Sequence, residues 1–214
     1  MKIIFRLCLM LLVVSANSWA LPSYDQQLLI LQENWAHVNY EMPEKEQEKA
    51  FESLAAEAER FVQAHPNRPE PLIWKGIIVS TWAGARGGLG ALGLVKEARS
   101  LFEKSIDLDP NALSGSAYTS LGSLYYQVPG WPIAFGDDKK ARELLEHAVK
   151  IDPNGIDSNY FYADYWLEEG DYSKAKVYFE KAMQADPRAT RPIADRGRRN
   201  EILAKLDAVE KKLH

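Results

Sequence analysis

Among 214 residues the sequence has one cysteine, Cys8. It lies in the first twenty residues, so the rest of the chain has no thiol for a disulfide, a nucleophile or a metal thiolate. Histidine is also scarce. His37, His65, His147 and His214 are scattered, and no two stand at metal-ligand spacing. Glu143 and His147 lie four apart, a spacing that a surface contact explains as well as a metal site. There is no His-Glu-x-x-His and no Gly-x-Ser-x-Gly. These absences remove the usual routes to hydrolysis, so neither an enzyme nor a cofactor is expected. Basic residues number 26 against 30 acidic ones, a net charge of −4. A chain without excess positive charge is a poor binder of phosphate backbones, which excludes nucleic acid as a partner. No strand-like alternation stands out anywhere.

The N-terminus does carry an apolar run. Lys2 and Arg6 precede Leu7 to Val14, and Ser18-Trp19-Ala20 places small residues at the −3 and −1 positions. This pattern predicts a secretory signal peptide over residues 1–20, cleaved after Ala20. The run is far short of the roughly 20 residues of a spanning helix. Cys8 sits too early to be an acylation site, so no lipid anchor is expected. Without Lys2 and Arg6 the basic residues fall from 26 to 24 and the net charge to −6. The expectation is a periplasmic or secreted protein with no membrane span after cleavage, held together by packing alone.

Three segments share one spacing. It reads Ala98, Phe102, Ser105, Pro110; then Ala141, Leu145, Ala148, Pro153; then Ala175, Phe179, Ala182, Pro187. Small, large and small residues at this spacing share a helix face, and the proline stops the helix. A first helix should precede each. Tyr118-x-x-Leu121-Gly122-x-x-Tyr125 serves the second, Tyr162, Ala163 and Trp166 the third, and Trp74, Ile77 and Thr81 the first. With these motifs the chain resembles the tetratricopeptide repeat family. The resemblance implies an all-α, right-handed helical-hairpin solenoid with about three repeats. Residues 21–70 read as a leading helix pair with Ala58 and Phe61 inward, and 71–189 as the three repeats. Residues 190–214 read as a C-terminal capping helix with Ile202, Leu203, Leu206 and Val209 on one face and a polar outer side.

Repeats one and two depart from this spacing by insertions between their helices, Gly84 to Gly93 and Val128 to Asp138. Both fall at the same point of the repeat, so they map to one side of the stack. The first is glycine-rich, and Gly87 and Gly88 suit close approach to a partner. The second carries Trp131 and Phe135 between prolines and is stiffer. Either both loops bind, or both fold back and plug the groove. Gly88-x-Gly90-x-x-Gly93 follows a helix rather than a strand, so it does not read as a dinucleotide motif. Trp82, Tyr126 and Tyr165 lie off the repeat motif and are candidates to line the concave face. Arg188, Arg191, Arg196, Arg198 and Arg199 cluster before the last helix. They form a solvated surface paired with Asp195 and Glu201, or meet an acidic partner.

The stretch from Pro129 through Trp131, Phe135 and Gly136 to Arg142, and then Tyr160 to Trp166, is similar to the periplasmic T component associated with TRAP transporters. That resemblance implies a helical-repeat protein that partners the transporter's substrate-binding protein and handles a small apolar ligand. Two functions are thus expected: a protein-interaction scaffold, or a transporter accessory with a hydrophobic pocket. The expected binding residues are Trp82, Gly87, Gly88, Tyr126, Trp131, Phe135 and Tyr165.

Overall fold

The computed structural model describes residues 22–214; the expected leader, its cleavage site and Cys8 lie outside the described residues. The described residues form α1 (Tyr24–Tyr40), α2 (Glu44–Ala64), α3 (Pro69–Arg86), α4 (Leu92–Leu108), α5 (Ser116–Gln127), α6 (Asp138–Ile151), α7 (Ile156–Glu168), α8 (Tyr172–Met183) and α9 (Pro192–Leu213). No strand occurs among the described residues, only an isolated bridge between Gly130 and Gly136.

Local chemistry sets the helix ends. Gln26 N donates to Ser23 Oγ at 3.3 Å and Ser23 N donates to Gln26 Oε1 at 2.9 Å, a reciprocal cap that satisfies two free donors of α1. Asp137 and Asp171 accept from Lys140 N and Lys174 N at 3.0 and 3.1 Å and so start α6 and α8. Prolines open α3 and α9, where a missing N–H costs nothing. Helices α4 and α6 stop at Leu108 and Ile151, just ahead of Pro110 and Pro153.

The helices pack as hairpins, α1 with α2, α3 with α4, α5 with α6 and α7 with α8, and each hairpin stacks on the next. The repeated triplets do the packing. Ala98, Phe102 and Ser105, Ala141, Leu145 and Ala148, and Ala175, Phe179 and Ala182 are all at 0 % exposure. Burying a Phe or Leu side chain stabilises by roughly 1.5–3 kcal/mol. The small residues let the partner helix close in. A Cβ at Gly76 would stand 2.5 Å from Phe102, and one at Gly122 would stand 2.7 Å from Leu145.

That contact corrects the register expected for α3. Gly76 opposes Phe102 as Gly122 opposes Leu145, so the motif positions of α3 are Leu72, Gly76 and Val79. Leu72 and Val79 are buried, whereas Ile77 and Thr81 are half-exposed. The aromatic Trp74 resembles a motif residue without occupying its place. The first insertion is also less of a loop than expected. Helices α3 and α4 have 18 and 17 residues, against 13 and 12 for α7 and α8. The extra residues extend both helices and leave only Gly87 to Ala91 between them.

Helix α9 buries Ile202 and Val209 and packs Leu206, but Leu203 is 57 % exposed and does not share the buried face. Nor is α9 only a cap. It packs on α8, on α7 and on α1, at the other end of the chain. The odd-numbered helices therefore form a closed circuit of contacts, from α1 through α3, α5, α7 and α9 back to α1. At the seam a Cβ on Gly197 would overlap the Tyr40 ring, and Arg196 Nη2 lies 2.6 Å from Glu41 Oε1.

Candidate functional site

The second insertion is a folded loop anchored at both ends. Gly136 N donates to Pro129 O at 3.0 Å, Asp137 N donates to Tyr125 O at 2.9 Å, and Ile133 N donates to Gly130 O at 3.1 Å. Its two aromatic residues separate. Phe135 turns inward, edge-on to Tyr125 with centroids 5.3 Å apart, and Arg99 lies 5.0 Å from its ring. Trp131 turns outward and is 90 % exposed, beside Ile133 at 56 %. A scaffold of backbone hydrogen bonds and one half-buried ring thus holds a bare indole in water. That is uncommon for so large an apolar side chain.

In the first insertion Gly87 and Gly88 have φ of 64° and 57° with ψ near the extended limit, a region open essentially to glycine. A Cβ at either would meet nothing within 4 Å, so both serve the turn and neither is pressed against another group of the chain. Leu89 beside them is 82 % exposed. Trp82 is half-buried under the Arg86 guanidinium, 4.6 Å from its ring, and Arg86 Nε donates to Glu48 Oε1 at 2.9 Å.

Tyr126 and Tyr165 meet each other, with ring centroids 5.9 Å apart. Tyr126 donates its hydroxyl proton to Asp164 Oδ2 at 2.8 Å, and burial, then Asp164, push its phenol well up. Tyr165 is buried against Tyr162 and Trp166, and burial raises its phenol to about 12. It is core and does not line an open concave face. Lys205 Nζ stands 2.7 Å from Asp164 Oδ1 as an ion pair outside hydrogen-bond alignment.

Two larger clefts lie among the described residues. One, of about 740 Å³, is lined by Gln32, Trp74, Thr119, the first turn of α7, Lys181 and Arg191 among others. The other, of about 570 Å³, is lined by Trp35, Asn39, Thr81, Gln127, Asp164 and Arg198 among others. They share no residue. Trp35 and Trp74 stand between them edge to face at 5.8 Å, and Trp35 Nε1 donates to Thr81 Oγ1 at 3.0 Å. Neither cleft is lined by Trp131, Ile133 or Phe135.

The arginine cluster departs from a solvated surface. Arg188 and Arg198 do pair with Asp195 and Glu201, but Arg198 is only 8 % exposed. Its Nε lies 2.9 Å from Asp157 Oδ1, and Arg188 Nη1 lies 2.7 Å from Asp157 Oδ2. Burial works against the Asp157 carboxylate, yet Arg198 and Arg188 outweigh it and hold the acid well below its usual range. The sequence shows these charges, but nothing local says that Asp157, on α7, meets α9.

Residues 156–188, which span α7 and α8, match the tetratricopeptide repeat family. No curated protein sequence matches the chain. Among solved structures, the fold is similar to a thermophilic TPR protein of Thermus thermophilus. The two are 18 % identical, with a TM-score of 0.57 over 89 % of this chain and 91 % of that one. MamA of Desulfovibrio magneticus overlaps 85 % of this chain and 96 % of its own at 18 % identity, with a TM-score of 0.44. The chain is an all-α helical-hairpin solenoid of tetratricopeptide type, a fold whose members generally act as protein-interaction modules.

Proposed function

We propose that this chain is an exported adaptor that binds a protein partner through the loop Val128 to Asp137, with Trp131 as its central contact. The observation that carries this reading is the exposure of Trp131 on a loop whose backbone is pinned at both ends. Exposed tryptophans on rigid supports are typical anchors of protein interfaces, because little side-chain freedom is lost on docking. Ile133 extends the apolar surface of this loop. Phe135 serves this site by positioning the loop.

Export rests on the pattern from Lys2 to Ala20. Mass measurement of the protein recovered from cells tests it. A mature chain starting at Leu21 is the expected result, and one that retains residues 1–20 overturns export.

A transporter accessory that holds a small apolar ligand needs an enclosed apolar cavity fed by the loops. The outward Trp131, which lines neither of the two larger clefts, favours the adaptor. The test is a photo-crosslinking amino acid placed at position 131 in cells, with Val177 on α8, 59 % exposed, as the control position. One partner should crosslink at 131 and not at 177. Equal labelling at both positions overturns the reading.

A further inference from the structure

Each later hairpin is covered by the helix that precedes it. Helix α2 packs on α3, α4 on α5 and α6 on α7. Helix α1 packs on α2, α3 and α9, and α2 packs on α1 and α3. No helix among the described residues takes the corresponding place beside the first hairpin. A terminal repeat normally closes a stack with a polar outer face. Between α1 and α2 there is instead a groove of about 220 Å³, lined by Gln27, Ile30, Leu31, Glu57, Arg60 and Phe61. Leu31 and Phe61 are buried at its floor, and Ile30 is 44 % exposed.

Helix periodicity puts this groove on the flank away from α3. Glu59 of α2 pairs with Lys75 of α3, and Glu57, two residues earlier, lies nearly opposite it round the helix. Trp35 of α1 donates to Thr81 of α3, and Ile30, five residues earlier, lies well round the helix from it. The charge of the chain is concentrated here. From Asp25 to His65 the sequence has nine acidic and three basic residues, a net charge of −6, whereas from Pro66 to His214 it has 21 of each. Glu57 on the groove and Glu33, one turn beyond Ile30, have no cation within 4.0 Å among the described residues. Arg60 is the one cation among the lining residues.

We propose that this open side of the first hairpin docks a basic amphipathic helix of a second protein. The helix takes the place that α2 takes beside α3. One large apolar side chain enters the groove against Ile30, Leu31 and Phe61, and the lysines or arginines flanking it face the carboxylates of the hairpin. Ile30 supplies affinity, and the charge supplies choice of partner. A second copy of the same face would meet like charge, as would an anionic membrane surface, so both are disfavoured. The surface includes no residue of the Trp131 loop and stands whether or not that loop binds. With both surfaces occupied, the chain would join two proteins.

The test is calorimetric titration of the protein with three end-blocked peptides several helical turns long. The first is a leucine–lysine peptide patterned as an amphipathic helix. The second has the same residues reordered so that leucine is spread round the helix. The third keeps the first pattern with glutamate in place of lysine. The first should bind at least about tenfold more tightly than either of the others, and added salt should weaken it. Ile30→Gln, at an exposed site that folding does not need, should weaken that binding about tenfold through the lost apolar contact. Glu57→Gln should weaken it about threefold, and Arg60→Gln should strengthen it about twofold. Trp131→Ala should leave it unchanged, which separates this surface from the loop. The Ile30 δ-methyl resonance should shift when the first peptide is added. The proposal is overturned if the first peptide does not bind, if either of the others binds equally well, or if Ile30→Gln binds like wild type. A protein that sediments as a dimer and becomes monomeric on Ile30→Gln also overturns it, because a second copy then occupies the face.

Discussion

Arg198 of α9 and Asp157 of α7 form an ion pair, Nε to Oδ1 at 2.9 Å, that ties the last helix to the first helix of the third repeat. The same guanidinium covers the Tyr160 ring at 4.0 Å and the Phe161 ring at 4.7 Å. It is therefore both a charge partner and a packing element. Arg198→Ala should destabilise the chain by about 3–5 kcal/mol, because it strands Glu201 without a counter-charge and leaves Asp157 with Arg188 alone. Urea denaturation measures this. In a double-mutant cycle, Arg198→Met with Asp157→Asn should lose less than the two single changes added together. Strict additivity would mean that the pair is not coupled.

Asp157 also sets a pH dependence. Burial opposes its charge, but Arg198 and Arg188 prevail and lower its folded value below the unfolded one of about 3.9. The folded chain therefore takes up this proton later than the unfolded chain. The stability it contributes is complete above pH of about 4 and drains as the pH falls from there toward the folded value. Glu201 works the other way. Burial raises its folded value, so its contribution is complete below the unfolded value of about 4.3 and is lost as the pH rises through the folded one. Asp157→Asn should flatten the acid limb of the stability curve, read as urea midpoints across that range. Its cost at neutral pH should be about 1–3 kcal/mol, since a third of the Asp157 side chain remains open to solvent.

Gly197 has no room for a side chain, because the Tyr40 ring occupies the place of its Cβ. In an exposed helix interior Gly→Ala would stabilise by about 0.8–1 kcal/mol. Here Gly197→Ala should destabilise by about 1–3 kcal/mol by forcing α1 and α9 apart. Adding Tyr40→Ala should relieve the overlap, so that introducing Ala at 197 costs much less in that background. Thermal melts of the four chains check this, and an equal cost in both backgrounds would remove Tyr40 as the cause.

Trp131 and Phe135 belong to one loop but should respond oppositely. Trp131→Ala should leave stability within about ±0.5 kcal/mol, since the side chain packs on little, and should abolish partner crosslinking from a probe placed at the neighbouring position 133. Phe135→Ala should cost about 1–3 kcal/mol through its lost packing on Tyr125 and Arg99. It should weaken partner binding only by loosening the loop. Melting curves and crosslinking yields together separate the two roles.

Read alone, the sequence determined the helices, their pairing and the nine completely buried triplet residues from Ala98 to Ala182. Those features depend on the spacing of small and large side chains along one helix, which is local information. It also marked the loop around Trp131 as the place where the repeat is interrupted. It misplaced the register of α3, where an aromatic at position 74 resembled a motif residue and the glycine two places later set the packing. It counted Leu203 into the buried face of α9 and read the arginines as a solvated cap surface or a contact for an acidic partner. Only the tertiary structure decided that Phe135 turns in while Trp131 turns out, that Arg198 is buried on Asp157, and that α9 meets α1. In a helical-repeat stack small rotations from one hairpin to the next add up, and the circuit of contacts that joins α9 to α1 spans the whole stack. No single helix carries that sum in its own periodicity, so the seam at Gly197 could not be read one residue at a time.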